Sequence, residues 1–241
     1  MKTLIYVLLF AVCVFCSCEK ESHPILPEYT PEIKQEEPTS SKEGFIQGYL
    51  DADRLCGWQE HDTVGGCIPL MGLWLEGEEY YDNPRWVTES SRLYQQYAEQ
   101  LGDTAFPQTI YRDRPNSEIV AVNKIAGIDV ICNDDFDENH KAGSSVSDIL
   151  TFIGNSPVNY IKSGYKIHGE KETTPQTFSR AYVYEKIVVN AAEISEKNIQ
   201  FYDYSFDLSF DQLPEKTGTY TFDVIVKFTE KVLKTSVTMK F

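Results

Sequence analysis

The feature that most constrains the fold is an alternation of apolar and polar residues in the last forty positions. In residues 204–210 every second side chain is aromatic or aliphatic, which is the pattern of a strand that buries one face. Residues 219–229 and 232–241 have the character of two further strands, with Glu230 and Lys231 as the turn between them. The sequence therefore predicts a β-sheet domain in this part of the chain.

A second β-rich stretch and a short motif refine this prediction. Residues 119–131 are rich in β-branched side chains and are interrupted by Gly127. Residues 217–222 have the sequence Thr-Gly-Thr-Tyr-Thr-Phe, which resembles the start of the penultimate strand of immunoglobulin-like sandwiches. Together with the turn residues between short strands, this resemblance implies an antiparallel immunoglobulin-like β-sandwich over 118–241.

The preceding segment, 44–117, is aromatic-rich and irregular but contains one helix pattern. Three of its side chains are spaced four positions apart: Leu93, Tyr97 and Leu101. On a helix over residues 88–101 they would form one stripe. Thr88 or Ser90 can cap its start, and Gly102 suits the position after its end.

The N-terminus has the features of an export signal. Residues 1–17 contain Lys2, then about a dozen apolar residues, and then Ser17 before Cys18. The apolar run is shorter than the ~20 residues that a membrane-spanning helix needs, and Glu19 starts an abruptly charged segment. The chain here resembles bacterial lipoprotein precursors, in which the cysteine after the apolar run is acylated and becomes the first residue.

Cys18 is the predicted lipid attachment site. Cys16 follows the bulky Phe15, and Cys13 lies within the apolar run, so neither fits as well. Each buried methylene contributes ~0.8 kcal/mol, and two or three acyl chains would therefore hold the protein at a membrane. A cleaved, soluble secreted protein is the alternative.

A tether is predicted after Cys18. Residues 19–43 contain four prolines and few apolar side chains, so they cannot bury enough surface to offset the entropy lost on ordering. At the polyproline rise of ~3.1 Å per residue the tether reaches at most ~75 Å. The Cys-Glu-Lys-Glu start and this tether resemble the surface and periplasmic lipoproteins of Bacteroidetes. The resemblance implies lipid anchoring to the outer membrane, facing the periplasm or the cell surface.

Four regions are therefore predicted in a mainly β chain. They are a signal peptide at 1–17, a lipidated tether at 18–43, an aromatic-rich subdomain with one or two helices at 44–117, and a β-sandwich at 118–241. The second, weaker helix pattern covers residues 45–54.

The net charge and the absence of common catalytic motifs exclude several classes of function. The chain has 37 acidic and 22 basic side chains and a net charge of −15, which excludes nucleic acid because phosphate binding needs a basic surface. The sequence contains no Gly-x-Ser-x-Gly, His-Glu-x-x-His or glycine-rich phosphate loop. No cofactor is expected, with calcium as the one exception to consider.

The calcium hypothesis rests on Asp135, Asp137 and Asn139. Clustered carboxylate and amide oxygens suit Ca²⁺, and in EF-hand register these residues take the first three ligand positions. However, His140 replaces the required glycine, and Val146 replaces the final glutamate. An acidic turn exposed to solvent is the ordinary interpretation, and a calcium site is the alternative.

Cys56 and Cys67 bracket a short loop. Outside the cytoplasm a disulfide between them is expected, and it would contribute ~3 kcal/mol by the loop-entropy argument. Cys132 would then be a buried free thiol. A metal site of Cys56, His61 and Cys67, or a catalytic Cys–His pair, is the alternative, although the spacing matches no common zinc module.

Aromatic side chains supply the remaining candidate site. Five rings lie within about thirty residues, with four carboxylates among them: Trp58, Trp74, Tyr80, Tyr81 and Trp86. Rings flanked by carboxylates are typical of sugar-binding surfaces. Trp74, Tyr80, Tyr81 and Trp86 are the candidate ligand-stacking residues. The favoured alternative is that the rings form the core of the subdomain.

Three classes of function follow. The tether, the acidity and the aromatic cluster favour a lipid-anchored, non-catalytic binding module for a glycan or a protein. The second class is a secreted hydrolase that uses carboxylates such as Glu76, Glu78 and Glu79. The third is a structural subunit whose C-terminal strand pairs with the sheet edge of a neighbour. The sequence leaves the oligomeric state open.

Overall fold

The structure is a computed structural model that describes part of the chain. It describes residues 44–61, 69–82, 87–106, 119–166 and 184–241. The predicted signal peptide, Cys18 and the tether lie outside these residues, as do Cys67 and Trp86. All the described residues belong to one compact unit. Among the residues described, no helix has the length and apolar character needed to cross a membrane.

The described residues form ten strands and two α-helices. The strands are β1 (Gly48–His61), β2 (Pro69–Tyr81), β3 (Ile119–Ala121), β4 (Ile125–Cys132), β5 (Leu150–Ser156), β6 (Glu185–Asn190), β7 (Tyr202–Asp203), β8 (Ser205–Phe210), β9 (Thr219–Phe228) and β10 (Val232–Lys240). The helices are α1 (Glu89–Leu101) and α2 (Val158–Lys162), and 3₁₀ turns cover Ser147–Ile149 and Ala191–Lys197. The predicted mainly β class is confirmed.

The strands form two sheets. The larger has the order β6-β5-β8-β2-β1-β3-β7 and is antiparallel except where β1 runs parallel to β3. The smaller has the order β10-β9-β4 and is antiparallel. The larger sheet is a curled, mixed half-barrel, so the immunoglobulin-like arrangement is not confirmed. Because β1 and β2 lie between β8 and β3, the regions predicted at 44–117 and 118–241 share one sheet.

The main hydrophobic core contains residues of both sheets. Every second residue of β8 is buried, namely Phe206, Leu208 and Phe210, and β9 alternates in the same way. The turn predicted at 230 and 231 is present, with the Phe228 amide donating to the Lys231 carbonyl over 2.8 Å. The strand predictions for 204–241 are therefore confirmed. Each fully buried side chain of this size contributes about 1.5–3 kcal/mol.

The helix predicted at 45–54 is wrong, because most of that segment belongs to β1. β1 pairs with β2 along its whole length, with a bulge between Ala52 and Arg54. The bulge shifts the alternation by one residue, so that Ala52 and Leu55 both face the main core. The sequence of β1 therefore does not show an uninterrupted alternation of apolar and polar residues. Gly77 is required opposite the bulge, since a Cβ atom there would lie 2.1 Å from the Asp51 carbonyl oxygen.

Polar contacts join β1 to β10 and to the turn that precedes β10. The Lys231 ammonium donates to the Ala52 carbonyl over 2.9 Å. The Gln59 side chain donates to the Lys240 carbonyl and accepts from the Lys240 amide, both over 3.0 Å. β1 is therefore fixed at both ends of the segment that carries Trp58.

The predicted helix at 88–101 is confirmed as α1. Thr88 and Ser91 form a reciprocal capping box, and Gly102 ends the helix with a φ of 80°. The buried stripe differs from the predicted one, because Tyr94 and Ala98 are buried while Leu93 and Tyr97 are only partly so. The stretch predicted at 119–131 is also divided differently: it breaks at 122–124, between β3 and β4, rather than at Gly127.

A second hydrophobic core lies between the helices and one end of the larger sheet. It is strongly aromatic and contains Phe45, Tyr49, Tyr80, Tyr94 and Tyr160 among its buried residues. Asp103, which is fully buried, follows α1 at the edge of this core. Its carboxylate accepts from the amides of residues 45 and 46 over 2.6 and 2.8 Å. The first described residues are thereby held against the end of α1.

Candidate functional site

Part of one face of the larger sheet belongs to neither core, while the second core covers the other part of that face. The strand registers place five residues in one row across five strands: Val188, Ile153, Asp207, Gly72 and Trp58. Because strand side chains alternate with a period of two, their neighbours two positions away share this face. Those neighbours include Thr151, Ser205, Ser209 and Trp74. We call the surface formed by these nine residues the open face. None of them is part of the cores formed by the described residues.

Two tryptophans dominate one side of the open face. Trp58 on β1 is 42% exposed, and its ring centroid lies 4.7 Å from that of Trp74 on β2, with 56° between the ring planes. The Trp58 indole lies over Gly72, where a Cβ atom would come within 2.7 Å of the ring. The glycine therefore allows the indole to lie close against β2 while the side chain stays partly exposed.

Hydrogen bonds fix the second indole. The Trp74 Nε1–H donates to Glu76 over 2.9 Å, and the Arg54 guanidinium contacts the other carboxylate oxygen. The hydrogen bond from Trp74, together with the charge of Arg54, holds the pKa of Glu76 below its ordinary value. Glu76 is therefore ionised at neutral pH, and it orients Trp74.

Cys56 lies opposite Trp74 in the register of β1 and β2. It has a free, half-buried thiol in the structure, and its proposed partner Cys67 lies outside the described residues, so the disulfide stays a prediction. Burial raises the pKa of the thiol, and the nearby Glu76 raises it further. That shift disfavours the thiolate that a nucleophile or metal ligand requires. Cys132 is a buried free thiol, as predicted.

The structure separates the four predicted ligand-stacking residues. Trp74 lies on the open face. Tyr80 is only 6% exposed and belongs to the second core, where burial raises its pKa to about 12. Tyr81 is 43% exposed but lies seven positions from Trp74 along β2, roughly 23 Å at ~3.3 Å per residue. Trp86 lies outside the described residues. Tyr80 is therefore a core residue, whereas Trp74 is partly exposed on the open face, and its role in ligand stacking stays a prediction.

Trp58 belongs to the predicted aromatic cluster but not to the four candidate stacking residues. Its contact with Trp74 depends on the pairing of β1 with β2 and on the glycine beneath it. The only local signal in the sequence is that Gly72 lies two positions before Trp74, so that a glycine and a large ring share one face of the strand. That signal becomes informative only once the strand register is known.

The carboxylates considered for hydrolysis serve neighbouring rings. Each accepts a hydrogen bond from the aromatic residue two positions away on β2: Trp74 for Glu76, Tyr80 for Glu78, and Tyr81 for Glu79. Glu78 and Glu79 are adjacent in the strand and so point to opposite faces of the sheet. The arrangement supports a role in orienting aromatic side chains rather than the acid–base pair of a glycosidase.

The acidic turn at 134–139 is held together by its own hydrogen bonds. Asp137 accepts from the Asn139 amide over 2.7 Å and from the Gln212 side chain over 2.7 Å. Asp135 accepts from the Ala142 amide over 2.9 Å. Within the described ranges no three His, Cys, Asp or Glu side chains converge in a way that could hold a metal ion.

His140 joins this turn to the segment before β5. One ring nitrogen, Nδ1, lies 2.8 Å from Asp137, and the other, Nε2, lies 3.2 Å from Asp148. Burial of the ring by itself lowers the pKa of His140, but the hydrogen bonds to Asp137 and Asp148 outweigh it and raise the pKa above its ordinary value. The imidazolium form is therefore favoured, and it acts as a link between two carboxylates.

Comparison with known proteins finds no matching family model, no matching curated protein and no matching solved structure. The open face is therefore the basis for a functional proposal.

Proposed function

We propose that this protein is a lipid-anchored envelope protein that binds a glycan on its open face without catalysing a reaction. The single observation that carries the proposal is the exposed indole of Trp58, which lies over Gly72 and against Trp74. A flat, oriented aromatic ring at a solvent-exposed sheet face is suited to stacking on the apolar face of a sugar.

The size of the aromatic surface sets the expected affinity. A sugar that covers about 100 Å² of indole surface gains about 2.5 kcal/mol at ~25 cal/mol per Å². Hydrogen bonds from sugar hydroxyls to groups of the open face, such as Asp207, Ser205 and Ser209, add to this, while lost translational and rotational freedom subtracts from it. The dissociation constant is therefore expected between about 1 mM and about 1 μM.

The anchor and the tether place this binding face away from a membrane. Acylation at Cys18 would attach the chain, and residues 19–43 would extend it by up to ~75 Å. Replacement of Cys18 by Ser tests this part of the proposal. We expect the variant to lose palmitate labelling and to leave the membrane fraction, whereas unchanged labelling and fractionation would contradict acylation at this position.

A glycan array tests binding with the purified full chain. We expect binding to one class of glycan, no release of shorter products, and loss of binding in Trp58→Ala. Tyr81→Ala is the matched control, because Tyr81 is equally exposed, at 43% against 42%, but lies at the other end of β2. Equal loss in both variants, or no bound glycan, would contradict the proposal. Release of products would favour the hydrolase instead.

A further inference from the structure

The row that defines the open face is longer than one sugar. It runs from Trp58 on β1 through β2, β8 and β5 to Val188 on β6. Four strand spacings of ~4.8 Å make the row about 19 Å long. A ligand that only stacked on Trp58 would leave most of this length unused.

The chemical character changes along the row. Trp58 lies at one end, and Ile153 and Val188 lie at the other, with Val188 59% exposed. The middle strand, β8, presents Asp207 with Ser205 and Ser209 on either side, all half-buried. Apolar contacts at both ends and hydrogen-bonding groups in the middle fit a ligand that repeats apolar faces and hydroxyl edges along its length.

Charge restricts the class of glycan. The chain has a net charge of −15, and Asp207 on the row and Glu76 beside it are both acidic. Lys186, two positions from Val188 on β6, is a basic side chain on the same face, so the repulsion of anions comes from the charge of the chain as a whole. The one arginine beside the tryptophans, Arg54, is already paired with Glu76. A glycan that carries carboxylates or sulfates would therefore be repelled, and a neutral chain would not.

We infer that the open face binds an internal stretch of a neutral polysaccharide, several sugars long, that lies across β1, β2, β8, β5 and β6. This inference rests on the proposed function and adds to it the ligand class and the direction of binding. It makes Val188 a binding residue at the far end of the row from the tryptophans.

Calorimetry with oligosaccharides of different lengths tests the inference. The probes are cello-, malto- and xylo-oligosaccharides of two and six residues, together with polygalacturonate, and the protein is the purified full chain. We expect one neutral series to bind, with the hexamer at least tenfold tighter than the dimer, and no binding of polygalacturonate. Val188→Asp should weaken the hexamer about five- to tenfold and leave the dimer unchanged.

Val232→Asp is the matched control, because Val232 is also an exposed strand valine, at 53%, but lies on β10 of the other sheet. It should leave both affinities unchanged. Equal affinity for dimer and hexamer, an unaffected hexamer in Val188→Asp, or binding of polygalacturonate would overturn the inference. If one of these three results were found and Trp58→Ala still abolished binding, the proposed function would stand and only the inference about a long neutral polysaccharide would fail. Failure of all the neutral probes to bind would contradict both.

Discussion

Gly72 lies directly beneath the indole of Trp58, and a Cβ atom at position 72 would come within 2.7 Å of the ring atoms Cε2 and Cζ2. The two residues are paired across β1 and β2. The exposed orientation of Trp58 therefore depends on the absence of a side chain at its partner position.

Gly72→Ala should consequently move the Trp58 ring while leaving the fold intact. Trp58 is partly exposed and has room to move, and alanine is preferred to glycine in a strand, so we expect the free energy of unfolding to change by less than about 1 kcal/mol. Glycan affinity should fall up to about tenfold, the loss of about one stacking contact. Calorimetric titration and urea unfolding measure the two effects. Unchanged affinity would show that the ring's position does not matter.

The β1 bulge should tolerate no side chain at position 77. A Cβ atom there meets backbone atoms, 2.1 Å from the Asp51 carbonyl oxygen and 2.8 Å from the Ala52 Cα. Gly77→Ala should lower the free energy of unfolding by about 2–3 kcal/mol, as measured by urea denaturation. Gly127→Ala is the control, because its nearest contact is a Lys227 side-chain atom at 3.8 Å. Equal stability in both variants would mean that the bulge rearranges freely.

His140 should make the stability depend on pH. Its pKa is raised in the folded state, so its stabilising contribution is complete below its ordinary value of 6.5 and is lost as the pH rises through the folded value. The free energy of unfolding should therefore fall as the pH rises above about 6.5 and through the raised pKa of the folded state. His140→Gln should remove this slope and cost about 1–3 kcal/mol at pH 6. Urea denaturation across that range checks the prediction, and an unchanged slope in the variant would contradict it.

Asp103 should be needed to hold the first described residues. Asp103→Ala leaves the amides of Phe45 and Ile46 and the hydroxyl of Tyr165 without this acceptor, and it should cost about 2–5 kcal/mol. Asp103→Asn keeps one carbonyl oxygen and should cost less. Burial raises the pKa of Asp103, so ionisation of this carboxyl destabilises the folded wild type as the pH rises. Asp103→Asn has no such ionisation, so the difference in stability between the variant and the wild type should be smallest near neutral pH. Equal losses in the two variants would contradict this ranking.

The features that the sequence predicted correctly have local causes. α1 has its cap residues within one turn of its ends, and β8, β9 and β10 have short-range alternation with a tight turn between the last two. Such signals depend only on neighbours in the chain.

The features that were missed depend on distant partners. The sequence predicts a helix over part of β1 because the bulge breaks the alternation, whereas the strand conformation comes from pairing with β2. The row from Val188 to Trp58 needs four separate registers, and the link from Asp137 through His140 to Asp148 needs the turn to close. No local pattern specifies these contacts, so the sequence located the aromatic cluster without showing which ring faces solvent.

Nuclear magnetic resonance of the tryptophan indoles tests the central claim most directly. The chain has three tryptophans, so the three indole N–H signals of the full chain can be assigned with single Trp→Phe variants and followed during titration with a bound neutral hexasaccharide. We predict that the signals of Trp58 and Trp74 shift together, with a single dissociation constant that matches calorimetry. A glycan that binds while both signals stay unchanged would contradict the account.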